Sequence, residues 1–315
     1  MTLLLDAGQV CARTPWPDLL DAISEVLSAG DGSSPDRHVH DIELPGGDTG
    51  SLLLMPSWLP GDVIGVKTVT YVPTNAGTGV PTINAAYLLF DGADGTLLAT
   101  LDGEELTARR TAAISALAAR HLSRHDAHRL LIVGTGQLAP RFAEAHAAVR
   151  PLDAIEIWGR DAHKATAVAG ALAARGLPAR STTDLAAGVR AADIVSCVTG
   201  ASDPLVHGTD LQPGAHLDLV GSFRADMRET DDDAIARSSL FVDTVAGAVL
   251  AGDLAQPIEA GVITTESIRA DLRDLVTGDH PGRETDDEIT TFKSAGFALA
   301  DLAAARLAAR DLRSA

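Results

Sequence analysis

Three widely separated basic residues stand where a cation is unfavourable unless it binds something. Lys67 lies inside the apolar run 63–69, Arg110 lies in a stretch rich in alanine and leucine, and Arg37 precedes the first strands. Burying an unpaired charge is too costly, so each must face solvent, a polar cavity or an acidic partner. We interpret them as an anion site suited to a substrate carboxylate. Pairing of each cation with one of the 43 acidic residues is the alternative.

Lysine is scarce in this chain, which strengthens the interest of Lys67. Of the 25 basic residues only Lys67, Lys164 and Lys293 are lysines. Arginine and lysine are not interchangeable, because lysine carries a compact ammonium on a flexible stem. The three lysines are therefore either survivors of a compositional bias or groups placed where an ammonium is needed.

A glycine-rich loop follows the apolar run 129–133. It reads Gly134-Thr-Gly136-Gln137-Leu138-Ala139, which is the G-x-G-x-x-A pattern between a buried strand and a helix. Gly134 permits the tight turn, Gly136 lets backbone amides approach a pyrophosphate, and the helix N-terminus favours an anion. The loop predicts dinucleotide binding; a tight turn without a ligand is the alternative.

The end of the next strand indicates which dinucleotide is used. NAD enzymes place an acidic residue there for the ribose 2′-hydroxyl, but the strand 155–158 ends in Gly159-Arg160, with Lys164 close behind. Arg160 and Lys164 suit a 2′-phosphate, although Asp161 is near enough to serve a ribose. We therefore expect NADPH, with NADH as the second choice. Leu138, Thr199 and Val220, at the ends of apolar strands or in the loop itself, complete the predicted dinucleotide contacts.

These residues must be positioned by two different kinds of domain. The first half predicts a helix over 16–28 and strands at 52–55, 63–71, 83–90 and 96–101, without long helices between them, and hence a largely antiparallel or mixed sheet. After a helix over 104–121, apolar strands alternate with helices, which is typical of a doubly wound parallel sheet. Thr285-Asp-Asp-Glu288 predicts the start of a long helix running toward Leu307.

The fold class is therefore α/β, with a doubly wound Rossmann domain and an α+β domain built from the N-terminal half and the C-terminal helix. We expect the boundaries 1–122 with 300–315 for the α+β domain, and 123–299 for the dinucleotide domain.

Composition excludes several classes of function. The formal net charge of -18 disfavours nucleic-acid binding, and no apolar run is long enough for a membrane span. Two cysteines, Cys11 and Cys197, fit a reducing cytoplasm, and no secretory signal or metal site is expected.

Several motifs together resemble the ornithine cyclodeaminase/mu-crystallin family. They are Gly65-Val-Lys67-Thr-Val, Gly79-Val-Pro-Thr82, Thr107-Ala-Arg-Arg110-Thr, Gly134-Thr-Gly136-Gln137 and Phe292-Lys293-Ser294, in this order along the chain. The resemblance implies that the α+β domain is a substrate-binding and dimerisation domain and that the protein is a homodimer. It also implies that Arg37, Lys67 and Arg110 hold a substrate carboxylate. It also places Thr82, Gln137 and Arg110 near the cofactor, and Lys293 near both substrate and cofactor.

Within that family, the stretch after Gly221 separates the activities. Cyclodeaminases carry an aspartate there, whereas this chain has Phe223; Asp226, three residues on, is the remaining candidate acid. Gly221-Ser-Phe223 with Met227-Arg-Glu229 resembles the branch that reduces cyclic imino acids, and an aromatic ring suits such a ring. The expected function is NAD(P)H-dependent reduction of Δ1-pyrroline-2-carboxylate to proline and Δ1-piperideine-2-carboxylate to pipecolate, with Lys67 as the catalytic residue. The alternatives are ornithine cyclodeaminase, alanine dehydrogenase and a non-catalytic mu-crystallin-like binding protein.

Overall fold

The computed structural model describes residues 3–313, which divide into two compact units. Unit one comprises residues 3–111 together with 297–313, and unit two comprises residues 112–296. The division falls inside a helix that continues to Leu122, whereas the sequence pattern placed the boundary at the end of that helix.

The α-helices are α1 Ala7–Arg13, α2 Trp16–Ala29, α3 Gly103–Leu122, α4 Leu138–Ala147, α5 Ala162–Ala174, α6 Leu185–Ala191, α7 Asp232–Ala236, α8 Val245–Ala248, α9 Gly252–Glu259, α10 Leu272–Thr277 and α11 Ala298–Ala308. The strands are β1 Leu3–Leu5, β2 His38–Glu43, β3 Thr49–Leu59, β4 Val63–Tyr71, β5 Ile83–Asp91, β6 Leu97–Asp102, β7 Arg129–Val133, β8 Ala154–Trp158, β9 Ala179–Ser181, β10 Ile194–Cys197, β11 His216–Leu219, β12 Ser239–Val242, β13 Ile268–Asp271 and β14 Thr290–Lys293.

Unit one is built on a six-stranded mixed sheet in the order β1-β6-β5-β4-β3-β2. Only β1 pairs in parallel, with β6; the other neighbours are antiparallel, as predicted for a half without crossover helices. Helix α11 packs on β3, β4 and β5, and also on α2. The apolar stripe of α2, at helical spacing, is buried: Leu19, Leu20, Ile23, Val26 and Leu27.

Unit two contains an eight-stranded sheet in the order β13-β12-β14-β11-β10-β7-β8-β9. Every pair of neighbours is parallel. Strands β10, β11, β12 and β14 are buried along their whole length. Most residues of β10 and β12 are apolar, as expected of strands covered on both faces, whereas β11 and β14 also bury His216, Asp218 and Lys293. The chain order reverses between β7 and β10, so the predicted doubly wound Rossmann sheet is confirmed.

The long helix predicted from Thr285 is wrong. The Glu288 carboxylate does accept the backbone N–H of Glu284 at 2.8 Å and of Thr285 at 3.4 Å, but it closes a turn rather than a helix. The next residues form β14, inserted between β11 and β12. Burial in the middle of a sheet outweighs the local capping signal, and the helix begins only at Ala298.

Among the described residues, no helix combines the length and apolar character needed to cross a bilayer.

Candidate active site

A cleft of about 410 Å³ opens at the carboxyl ends of β7, β8 and β10 in unit two. Its lining comes from the loops after these strands: Gly134–Gly136, residues 158–161 with Lys164, and residues 198–203 with Leu205. The reversal of strand order between β7 and β10 lies at this point. Ligands of open α/β sheets bind in the crevice at such a switch point.

The glycine loop has the backbone geometry that its sequence predicts. Gly134 adopts a φ of +133°, and a Cβ on it would lie 2.8 Å from the Val198 carbonyl oxygen. By contrast, no atom lies within 4 Å of an ideal Cβ on Gly136, which faces open space. Helix α4 begins two residues later, and its Ala139 is fully buried. The loop thus presents backbone and a helix N-terminus to the cleft, an arrangement suited to a pyrophosphate.

The far side of the cleft is basic. Arg160 and Lys164 both line it and are exposed. The Asp161 carboxylate accepts the backbone N–H of His163 at 3.0 Å and of Lys164 at 3.2 Å, capping α5. One oxygen of the acidic side chain next to the end of β8, Asp161 Oδ1, therefore caps the helix, and Asp161 lines the cleft together with the two cations.

The other predicted dinucleotide contacts are distributed unevenly. Thr199 lines the cleft, whereas Gln137, Leu138 and Val220 lie next to lining loops without being part of the lining. Thr82 belongs to unit one, immediately before β5, where its carbonyl oxygen accepts the Val72 N–H at 2.8 Å. These four contacts stay predictions.

Lys293 is fully buried in unit two. Its Nζ donates to the Ser222 carbonyl oxygen at 2.6 Å and to Asp253 Oδ2 at 2.9 Å. The side chains of Lys293 and Asp253 are both 0% exposed. The ammonium is thus bound inside the protein, and the predicted contacts of Lys293 with substrate and cofactor stay predictions.

The cations of unit one converge on a single carboxylate. Asp301 on α11 accepts Lys67 Nζ at Oδ2 and Arg110 Nε at Oδ1, each at 2.8 Å. Asp301 is 0% exposed, Lys67 3% and Arg110 6%. Both residues were predicted to need either a ligand or an acidic partner, and the structure supplies a partner. Two cations share one anion, so the cluster keeps an excess of one positive charge.

The hydrogen-bonding capacity of this cluster is only partly used. Arg110 Nη1 is buried without a hydrogen-bond partner among residues 3–313. Lys67 has three ammonium hydrogens, and one is directed at Asp301. Unused donors and net positive charge in a buried place suit an incoming carboxylate.

Burial lowers the pKa of Lys67 to about 8. Asp301 opposes this shift, whereas the charges of Arg110 and Arg37 add to it. Arg37, exposed in the loop before β2, is therefore close enough to act on Lys67 electrostatically. A lysine with this pKa is mostly protonated at neutral pH yet can release its proton readily.

Phe223 lies in the loop after β11 and is 55% exposed. The guanidinium of Arg224 lies 5.8 Å from the Phe223 ring centroid. Arg224 also donates to both carboxylate oxygens of Asp226, at 2.8 and 2.9 Å. The pKa of Asp226 is lowered, chiefly by the hydrogen bond from Arg224. The alternative acid of this loop is therefore held in an ion pair.

Two features of the site were missed in the sequence. Asp301 is the acid that organises Lys67 and Arg110, and its only sequence signal is a lone carboxylate in the alanine-rich helix α11. Glu229 is fully buried beside the loops after β10 and β11. It stands in the motif Met227-Arg-Glu229, but nothing in its spacing marks it as buried.

The parallel sheet, the glycine loop and the cleft at the switch point place unit two in the Rossmann class of dinucleotide-binding folds. The chain belongs to the ornithine cyclodeaminase/mu-crystallin family, whose profile matches residues 10–314. The family resemblance inferred from the motifs is thereby confirmed.

Three comparisons refine this placement. A Δ1-pyrroline-2-carboxylate reductase of Paracoccus denitrificans is 39% identical over 310 residues, covering 97% of this chain and 96% of the relative. The structure of the Thermococcus litoralis Δ1-pyrroline-2-carboxylate reductase in complex with NADH and L-proline superimposes with a TM-score of 0.91 at 30% identity, covering 99% and 98% of the two chains. An archaeal alanine dehydrogenase dimer with bound NAD gives a TM-score of 0.90 at 26% identity, covering 99% and 96%.

Proposed function

We propose that this protein is an NADPH-dependent reductase of cyclic 2-imino acids. It converts Δ1-pyrroline-2-carboxylate to proline and Δ1-piperideine-2-carboxylate to pipecolate. The similarity to reductases over nearly the whole chain supports this reaction class. Within the family, the observation that carries the choice is the loop after β11, where Phe223 is exposed and Asp226 is paired with Arg224.

The substrate carboxylate is assigned to the cations of unit one. Lys67 and Arg110 offer unused N–H donors beside Asp301, and Arg37 adds a third charge. Charge-assisted hydrogen bonds from these groups would fix the orientation of the imino acid. Asp301 holds the two inner cations side by side and offsets their mutual repulsion before the carboxylate arrives.

The dinucleotide is assigned to the cleft of unit two. The loop Gly134–Gly136 and the start of α4 suit the pyrophosphate, and Arg160 with Lys164 suits a 2′-phosphate. This basic side, together with the use of Asp161 as a helix cap, favours NADPH over NADH. When bound, the reduced nicotinamide supplies the hydride.

The protein's own contribution to the reaction is modest in chemical terms. A cyclic imine that is already protonated needs little acid catalysis, so the residues have to bind the carboxylate, orient C2 and exclude water. Lys67, with a pKa of about 8, is the group suited to supply a proton when the imine arrives neutral. Phe223 offers an apolar face for the saturated ring.

Deamination of ornithine makes a different demand. A carboxylate near the amino group must accept protons and stabilise the ammonium. Phe223 can do neither, and the carboxylate of Asp226 is committed to Arg224. The loop is therefore better suited to an apolar ring than to a primary ammonium.

The test is a panel of substrates with the wild-type protein, in which the reductions are supplied with NADPH or NADH. Ornithine is supplied with NAD⁺ or NADP⁺, because its deamination begins with an oxidation. We expect loss of NADPH absorbance with the two cyclic imino acids, slower loss with NADH, and no ammonia from ornithine. Pyruvate with ammonia tests the alanine dehydrogenase alternative, and the cyclic imino acids without enzyme are the control. Ammonia released from ornithine with no net change in nucleotide would refute the proposal. Size-exclusion chromatography with light scattering tests the homodimer that we propose alongside it.

A further inference from the structure

One carboxylate connects the two loops at the carboxyl ends of β10 and β11. Glu229 Oε1 accepts the Thr199 N–H at 2.7 Å and the Thr199 hydroxyl at 2.9 Å. Its Oε2 accepts the Val220 N–H at 3.1 Å and the Gly221 N–H at 2.7 Å. A side chain that is 0% exposed thus satisfies three backbone donors and one hydroxyl at once.

The two loops approach each other so closely that only glycine fits at position 221. A Cβ on Gly221 would lie 1.9 Å from the Thr199 carbonyl oxygen and 2.6 Å from Glu229 Oε1. Thr199 lines the dinucleotide cleft, and Phe223 follows Gly221 by two residues. The two loops therefore contact each other at Thr199, a residue that also lines the cleft.

Glu229 is itself held by a second buried ion pair, between Asp253 and Lys293. Its backbone N–H donates to Asp253 Oδ1 at 2.7 Å, and the other oxygen of Asp253 accepts Lys293 Nζ. Lys293 also donates to the carbonyl oxygen of Ser222, next to Gly221. Burial and the neighbouring Asp253 raise the pKa of Glu229, and Lys293 opposes this shift. The lone lysine of β14 thus holds in place the pair of carboxylates that supports both loops.

We propose that Glu229 is a positioning residue that holds the loops after β10 and β11 in the shape that receives the dinucleotide, backed by Asp253 and Lys293. The proposal rests on the proposed function, because it assigns the cleft to a dinucleotide. No group of Glu229 needs to touch the ligand. Its effect passes through Thr199, Val220 and Gly221.

The first test is Glu229→Gln. A glutamine offers one oxygen and one NH₂ group, so whichever way it turns, one of the two sets of donors loses its acceptor. We expect the dissociation constant for NADPH, measured by fluorescence without imino acid, to rise at least about tenfold. Hydrogen exchange of the amides in residues 199–201 or 220–221 should become faster by a similar factor. Both are measured at a temperature where circular dichroism shows a folded protein.

Glu229→Asp is the second variant, because it keeps the charge but shortens the side chain. If only the negative charge of Glu229 matters, Glu229→Asp should bind NADPH like the wild type. If the carboxylate positions the two loops, Glu229→Asp should bind NADPH more weakly. Glu144→Gln is the matched control. Glu144 pairs with Arg175 rather than with Thr199, Val220 or Gly221, so this variant should leave NADPH binding and loop exchange unchanged.

The outcomes separate the possible failures. Weaker NADPH binding with faster loop exchange in both Glu229 variants supports the proposal. Wild-type affinity and wild-type exchange overturn it, even if the melting temperature falls, because Glu229 would then stabilise the fold only. A wild-type protein that binds NADPH but reduces no imino acid refutes the proposed reaction and leaves the role of Glu229 standing. A wild-type protein that binds neither nucleotide overturns both.

Discussion

Replacing Asp301 with asparagine tests the cation cluster of unit one most directly. The change keeps the shape of the side chain but removes the negative charge that lies 2.8 Å from Lys67 and 2.8 Å from Arg110. With Asp301 gone, burial and the charges of Arg110 and Arg37 all lower the pKa of Lys67 without opposition. An opposite charge this close typically shifts a pKa by about 1 to 3 units.

The expected result is a displaced pH profile. In the wild type, kcat/KM for the imino acid should fall above about pH 8, as Lys67 loses the proton with which it binds the carboxylate. In Asp301→Asn the same fall should come at between about pH 5 and 7. Because the imino acid titrates identically in both experiments, the difference between the two profiles reports the enzyme. Loss of one partner from a buried ion pair also costs about 3–5 kcal/mol of stability, so the fold is checked at each pH.

Two further variants make this test specific. Lys67→Met should nearly abolish turnover while nucleotide binding persists. Asp193→Asn, which breaks the partly buried pair with Arg124 in unit two, should reduce stability without moving the alkaline limb. If folded Asp301→Asn shows the wild-type limb, then Lys67 is not the titrating group or Asp301 does not control it, and the reasoning fails.

The remaining predictions concern the cleft, the loop after β11 and the interior of unit two. Replacing both Arg160 and Lys164 with alanine should raise the KM for NADPH about 10- to 150-fold. The KM for NADH should stay unchanged, because the lost contact is to the 2′-phosphate. Equal effects on both nucleotides would place the 2′-phosphate pocket elsewhere. Phe223→Asp should lower kcat/KM for the cyclic imine at least about tenfold, by setting a carboxylate against an apolar ring, and an unchanged value would remove Phe223 from the substrate site. Burial raises the pKa of Asp218 to about 7, so the folded state retains a proton that the unfolded chain releases at lower pH. Relative to wild type, Asp218→Asn should therefore gain up to about 4 kcal/mol in unfolding free energy between about pH 4 and 7 in urea titrations; a difference independent of pH would contradict the assignment.

The features that could be predicted from the sequence are those encoded locally. Strands β4 and β7 have the predicted bounds and β8 begins one residue earlier than predicted, because each is an apolar run that ends at a loop. The glycine loop was equally visible, since strand, loop and helix are consecutive in the chain. The structure gives Gly134 a positive φ and leaves open space at Gly136, which the two glycines of the motif permit.

The features that could not be predicted depend on contacts between distant residues. Lys67 and Arg110 were recognised as cations in need of a partner, but Asp301 lies 234 and 191 residues away in the sequence. Nothing local distinguishes Asp301 from an exposed acid on a helix. The role of Lys293 was likewise invisible, because its motif indicates a functional residue but not that Asp253 and Ser222 enclose its ammonium.

The failed helix prediction has the same origin. Thr285 and Glu288 carry a correct local signal, and the Glu288 carboxylate does bind backbone amides of the preceding turn. The residues that follow Glu288 form a strand because they lie in the middle of an eight-stranded sheet, and this position exists only in the assembled fold. Tertiary burial then selects a strand where local preference favours a helix.

The scarcity of lysine has a practical consequence for chemical labelling. Lys67 and Lys293 are buried in ion pairs, whereas Lys164 is exposed and lines the cleft. A bulky reagent that acylates amines should therefore react with Lys164 in preference to the two buried lysines of the folded protein, and Lys164 lies at the cleft. A fluorophore or cross-linker attached through amine chemistry reports on that cleft without any engineered cysteine.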